Sequence, residues 1–293
     1  MDGIDRLLQT AYRADSDGFL PFSVGSEVVG WLRPLFAKTL QTWPQTFEHD
    51  SAGAVRLRED LDNEPKRSRA LALVVRDLAK TGLITGWRDE LYPVRSGIST
   101  DDVPLFHLER AAARPFGITS YAVHVNGIVE TEGQRAAPAI WIARRSLSKP
   151  IDPGMLDNMI GGGVPAGLGV RDALVKEAWE EAALTPQQVA AIKPGRRLRI
   201  RREVPEGLQS EMIFVHDLVL PEHVMPRNQD GEVSEFKLLS ATRVIDLLRR
   251  GDQITADASL VTLDWLDRRG LLKLPETREA RAIFGAWAER NAR

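Results

Sequence analysis

The chain has 293 residues, 43% of them apolar and 27% charged, a length that suits one large or two ordinary domains. Its 39 Lys and Arg against 41 Asp and Glu leave a net charge of −2, so no global field draws it to nucleic acid or an anionic membrane. The absence of cysteine excludes disulfides, zinc–thiolate and iron–sulfur centres and any cysteine nucleophile.

The opening segment, MDGIDRLLQTAYRADSDGF, carries acids where a signal peptide would carry bases and lacks a long apolar run. It predicts a native helix and, by default, a cytoplasmic protein. No stretch approaches the roughly 20 apolar residues of a membrane span. The apolar spacing over 27–40 is compatible with a helix that Pro34 breaks or starts. Residues 68–80, SRALALVVRDLAK, have the 3.6-residue spacing of an amphipathic helix, and Thr81-Gly82 follows as its stop. Residues 92–104, rich in Pro, Gly, Ser and Asp, read as a loop. The first third is therefore expected to be mainly helical.

The pattern changes near residue 117. Residues 118–130 and 139–143 alternate apolar and polar like strands, with 131–138 as a hairpin connection. Residues 198–203 and 212–220 are further strand candidates. Helical patterns return at 171–183, 242–250, 259–269 and 277–289. The expected architecture is α/β or α+β. A mixed sheet flanked by helices occupies 117–293, behind a smaller helical or α+β domain over 1–116.

The segment 161–184, GGGVPAGLGVRDALVKEAWEEAAL, carries the chemistry. A glycine-rich loop runs into a helix holding Glu177, Glu180 and Glu181. At about 100° per residue, Glu180 lies about 60° to one side of Glu177 and Glu181 about 40° to the other. Three like charges on one arc repel, and the later turns of a helix disfavour anions. A hard divalent cation, Mg²⁺ with Mn²⁺ as an alternate, would offset both effects with oxygen ligands. The glycines allow positive φ and close backbone approach, so a carbonyl there could complete the metal shell.

This segment resembles a Nudix box, G-x5-E-x7-R-E-U-x-E-E-x-G-U with U apolar. With the leading glycine at Gly162, Glu177, Glu180 and Glu181 fall on its metal-binding carboxylates. Leu168 stands where the first Glu should be, Lys176 replaces the Arg that braces it, and Ala183 replaces the late Gly. The wider chain is similar to the Nudix hydrolases related to thiamine pyrophosphokinase. The likeness is carried by RPFGITSYAVHVNGIV, IWIARRSLSKPIDPGMLDNMIGGGVPAG and DGEVSEFKLL, and in the first third by GWLRPLFA, GWRDELYPV and the ERAA of 109–112. The resemblance implies a Nudix-type sheet sandwiched by helices, behind an N-terminal domain of poorly defined function. That domain covers the substrate's organic end or supports a homodimer. The implied reaction is Mg²⁺-dependent hydrolysis of a small-molecule diphosphate, thiamine diphosphate or an oxidised form such as oxo- or oxythiamine diphosphate, to the monophosphate.

On this reading Glu177, Glu181 and the Gly162 carbonyl are expected to hold the metal, while Glu180 binds a second ion or a metal-bound water. The base is a box Glu or one on a later segment: Glu211, Glu232 or Glu235, with Glu232 preferred. Arg144 and Arg145, ending a strand just before the box, are candidate diphosphate contacts, and alternation points only one of them to the site. A substrate of the ADP-ribose or dinucleotide class, and a non-catalytic binding module on the same scaffold, are the competing readings. Isopentenyl diphosphate isomerase chemistry is disfavoured by the lack of cysteine.

Overall fold

The computed structural model describes residues 2–97, 99–130 and 138–285. The chain opens with α1 (Gly3–Ala11), capped by the Asp2 side chain, as the opening segment predicts. Strands β1 (Leu20–Val24) and β2 (Glu27–Leu32) follow as an antiparallel pair, then α2 (Pro34–Thr39), β3 (Phe47–His49) and β4 (Val55–Leu57). The four strands form one sheet in the order β2-β1-β4-β3. The helix expected over 27–40 is thus half strand. Val28 and Val29 favour the pleat, β1 supplies an antiparallel partner with one bulge opposite Phe22 and Ser23, and Pro34 starts the helix at a position where its missing N–H is harmless. The expectation of a mainly helical first third fails for the same reason.

Helix α3 (Glu64–Lys80) begins earlier than its apolar stripe, because Asn63 caps it and Pro65 sits in its first turn. Leu71, Val74, Val75 and Leu78 are its buried face. Strands β5 (Leu91–Val94) and β6 (Phe106–Glu109) pair with each other, so 92–104 is part strand. With α4 (Ala113–Phe116) they close a core built around Phe22, Leu32, Leu71, Phe106 and Phe116.

The second half is a mixed sheet. It comprises β7 (Thr119–Val129), β8 (Ala139–Arg145), β9 (Leu156–Asn158), β10 (Ile160–Gly163), β11 (Lys193–Val204), β12 (Gly207–Val219) and β13 (Val233–Ser240). The order is β11-β12-β7-β8-β13, with β10 on β7 and β9 on β8; only β12 and β7 run parallel. Helices α5 (Val170–Ala182) and α6 (Pro186–Ala190) cover one face. Helices α7 (Ala241–Arg250), α8 (Ala256–Arg268) and α9 (Arg278–Ala280) cover the other. Strand β7 shows the sandwich directly: Tyr121, Val123 and Val125 join the core under α5, and Ala122 and Ile128 join the core under α8. The hairpin connection expected over 131–138 falls almost wholly outside the described residues. The helix expected over 277–289 is a short α9 followed by a π turn, and its last residues are also outside them. Among the described residues no helix is long and apolar enough to cross a membrane.

Helix α5 ends at Ala183, which takes the left-handed conformation (φ 53°, ψ 33°) while Leu184 N–H reaches back to the Ala178 carbonyl at 3.0 Å. This is the geometry that favours glycine, and Ala183 occupies the box position where glycine is usual. Ala183→Gly is therefore expected to stabilise the chain by about 0.5–1 kcal/mol, seen as a rise of roughly 2 °C in the thermal midpoint.

Candidate active site

The glycine-rich segment is a strand rather than a loop. Gly161 lies opposite His124, Gly162 opposite Val123 and Gly163 opposite Ala122. None of the three has positive φ, contrary to the sequence expectation. They are small because something packs on each. A Cβ at Gly161 would stand 2.9 Å from the His124 ring, one at Gly162 would overlap the Glu177 carboxylate, and one at Gly163 would overlap the Tyr92 hydroxyl.

Helix α5 turns its carboxylates toward this strand. Glu181 is only 6% exposed, and its Oε2 accepts the Gly161 N–H at 2.7 Å. Glu177 is almost as covered and lies against Gly162. Glu180 is more exposed. Lys176, at the box Arg position, joins Glu177 and Glu180, its Nζ donating to Glu180 Oε2 at 2.7 Å and to Glu177 Oε1 at 3.2 Å. Burial pushes the Glu181 carboxyl well above its ordinary value; the Gly161 hydrogen bond offsets part of this, and the charges of Glu177 and Asp157 add to it. Burial likewise raises Glu177, against the pull of Lys176.

The remaining sequence candidates divide. Glu232, just before β13, is ion-paired with Lys149. Both border a small cavity together with Glu181, Gly161, Arg145 and Asp157, so the fold brings Glu232 to the box. Burial alone would raise the Glu232 carboxyl, but Lys149 outweighs it and holds the group below its ordinary value. Arg145 reaches the same cavity, pairing with Asp157 at 2.8 Å and holding the Ile151 carbonyl. Arg144 does not. It is tied to Glu235 on β13 at 2.5 Å and to the Gly154 carbonyl at 2.7 Å. That ion pair also removes Glu235 from the site. Glu211, on β12, accepts from Gln209 at 2.9 Å and from Ser120 at 3.3 Å; burial and the Asp257 charge raise its carboxyl.

Among the described residues no three His, Asp or Glu side chains converge as metal ligands. The Lys176 ammonium draws Glu177 and Glu180 to itself instead. The donor chemistry nevertheless fits a hard divalent ion. Burial raises the proton affinity of both Glu177 and Glu181, and the Glu177 charge adds to it at Glu181, beside a backbone with no side chain in the way.

Residues that spacing alone did not single out complete the surroundings. Lys149 and Asp157 border the small cavity. Tyr92, Arg88 and Arg110 come from the first third and line a cleft of about 320 Å³ whose far wall includes Ser120 and Glu211. Only the GWRDELYPV and ERAA segments hinted at them. A larger cavity, about 680 Å³, lies between β11 and residues 273–285, away from the box, and none of these carboxylates borders it.

Two family models divide the chain between them. The family model described as "Domain of unknown function (DUF4743)" matches residues 4–120, and the one described as "NUDIX domain" matches residues 120–260. Nudix hydrolase 24, chloroplastic, of Arabidopsis thaliana is 37% identical over 263 residues, covering 88% of this chain and 70% of the relative. Nudix hydrolase 20, chloroplastic, of the same plant is 37% identical over 270 residues, with the same two coverages. A Deinococcus radiodurans crystal structure, DR0079, aligns over 60% of this chain and 98% of its own at 19% identity, with a TM-score of 0.44. The cytoplasmic location expected from the opening residues is overturned by the two plant relatives, both named chloroplastic. The acids of that segment serve α1, whose Asp2–Asp5 capping box explains them without reference to any compartment.

The Glu181 environment sets a pH dependence. Its carboxyl is raised in the folded chain, so the folded state holds a proton that the unfolded state releases near the ordinary value of 4.5. The stability this contributes is present below that pH and is lost as pH rises through the folded value. In EDTA, Glu181→Gln should match the parent in thermal midpoint near pH 4.5 and exceed it increasingly toward pH 8.

Proposed function

The chain belongs to the Nudix hydrolase family, and from that membership we propose an Mg²⁺-dependent hydrolase of thiamine diphosphate or its oxidised analogues, such as oxo- and oxythiamine diphosphate. Water adds to phosphorus, the phosphoric anhydride bond breaks, and the products are the monophosphate and inorganic phosphate. The substrate class rests on the thiamine-pyrophosphokinase-related segments quoted above. The chemistry rests on one observation, the buried Glu181 pinned to the glycine strand beside Glu177.

In this reading Glu177, Glu181 and the Gly162 carbonyl would hold the ion, and Glu180 would hold a second ion or a water bound to the first. When bound, the ion supplies neutralisation of phosphoryl charge and a more acidic water. Lys176 would have to release Glu177 and Glu180 for that role. Glu232 takes the water's proton; Lys149 keeps it ionised and ready to accept. Arg145, the strand arginine that borders the cavity, orients Asp157 and the phosphate side of the site. We assign residues 1–116 to a first domain and 117–293 to the hydrolase domain, with α1 lent by the first to the second.

A panel of thiamine, oxothiamine and oxythiamine diphosphates, ADP-ribose and a dinucleotide, assayed with and without Mg²⁺, tests this. Release of inorganic phosphate from a thiamine compound only with the metal is the expected result. Two monophosphates from ADP-ribose or the dinucleotide would move the substrate class. No metal-dependent turnover anywhere would leave a binding module. Glu181→Gln should lower kcat by about 100-fold or more, corresponding to a few kcal/mol of transition-state charge stabilisation.

A further inference from the structure

We propose that the cleft between the first-third core and the sheet is the second half of the substrate site, with Arg88 and Arg110 gripping the phosphates from the side opposite the box. This rests on the diphosphate-hydrolase reading above and adds to it a binding role for the N-terminal region.

The cleft of about 320 Å³ is of a size to take one small molecule. One wall is the segment 85–88 with Tyr92 and the turn 110–114. The other is Ser120 with residues 206–211, and Pro150 and Ile151 border it as well. Three arginines, Arg88, Arg110 and Arg114, line it. Arg114 pairs with Glu206 at 3.7 Å. Arg110 pairs with Glu90 at 2.7 Å and lies over the Tyr92 ring at 5.6 Å, which fixes its plane. Arg88 differs: among the described residues its guanidinium has no ion-pair or hydrogen-bond partner, although it faces a cleft. An anchored guanidinium and an unengaged one lining the same cleft suit phosphate oxygens, which guanidinium binds bidentately.

The cleft borders the box through a shared wall, Tyr92. Tyr92 lines it and also packs on the bare Cα of Gly163. The charges of Arg88 and Arg110 reach Glu232, and that of Arg110 reaches Glu177, each favouring the ionised carboxylate. A diphosphate at this junction would present one edge to the carboxylate face of α5 and the other to the two arginines. Ser120 and Glu211, further along the same cleft, would meet the organic end with hydrogen-bonding groups.

Full-length Arg88→Ala, Arg88→Lys and the double variant Arg88→Ala with Arg110→Lys test this. Two readouts are needed: titration calorimetry with inorganic pyrophosphate, and steady-state kinetics on whichever diphosphate of the panel the parent turns over. Arg88→Ala should weaken pyrophosphate binding and raise KM by about 10- to 100-fold, as loss of one charge-assisted contact predicts, with kcat within about threefold. Arg88→Lys should recover part of the loss. The thermal midpoint and the Mg²⁺ concentration for half-maximal activity should not move. Unchanged pyrophosphate affinity and KM in both Arg88→Ala and the double variant would overturn the proposal while leaving the hydrolase reading intact. A parent that hydrolyses nothing would overturn that reading, and the pyrophosphate titration would still decide for or against the arginine site.

Discussion

One contact governs the site: a buried carboxylate, Glu181, held by the backbone N–H of Gly161 across the gap between a helix and a strand. An ionised carboxylate taken out of water is costly unless it is paired, and a single 2.7 Å hydrogen bond is a thin compensation. The neighbours aggravate it, since Glu177 and Asp157 add like charge. A chain selected for stability alone would place a Leu here, as α5 does at Leu174 on the same packed face. On the proposed function this is the cost of a poised ligand, whose basicity and position are kept at the expense of the fold.

That contact depends on the strand staying in register, and the register depends on what lies beneath it. His124, opposite Gly161, donates from Nδ1 to Asn158 Oδ1 at 2.8 Å. Asn158 donates in turn to Asn126 and Thr262, and Asn126 to Asp217. Arg268 then clamps Asp217 and Asp264. This polar chain crosses the sheet from the glycine strand to α8 with its members satisfied by one another, which makes it rigid and intolerant of a one-residue slip. The glycines fix the register further: three consecutive positions where the His124 ring, the Glu177 carboxylate and the Tyr92 phenol each come within the space of a methyl group.

Much of this was legible in the residues, for identifiable reasons. Helix α3 announces itself because one periodic stripe meets one core, and strands β7 and β12 because they are long runs of β-branched and aromatic residues buried on both faces. The carboxylate arc of α5 follows from the same geometry. Strands β9 and β10 leave no such trace, because three glycines have no alternation to read and their pairing is imposed by β7 and β8. Residues 27–32 mislead in the opposite direction: their apolar spacing suits a helix, and only the hairpin with β1 decides for the strand. The choice between Arg144 and Arg145 was posed by alternation and decided by the partners each finds, Glu235 for one and Asp157 for the other. Arg88 and Arg110 lie far ahead of β10 in the chain, with β7, β8 and β9 between, so no local pattern could assign them to the box.

The route of the chain explains why both halves can share one cleft. Helix α1 packs Ile4, Leu8 and Ala11 into the core under α7 and α8, and Gly3 sits so close to Leu248 and Gly251 that a side chain there would collide with their backbone. The chain then leaves to build the first-third core and returns through α4 into β7. The crossing is tied down by Arg201, whose guanidinium is held by the carbonyls of Arg13, Ala14 and Asp15, and by Arg33, which donates to the Val204 carbonyl at 2.6 Å. At Gly30 the first-third sheet approaches the Phe116 carbonyl closely enough to exclude any Cβ. Two halves fastened at both ends of the first cannot drift apart without breaking buried backbone contacts. The wall bearing Arg88 and Arg110 is therefore held against the wall bearing Ser120 and Glu211 by the same packing that folds the chain.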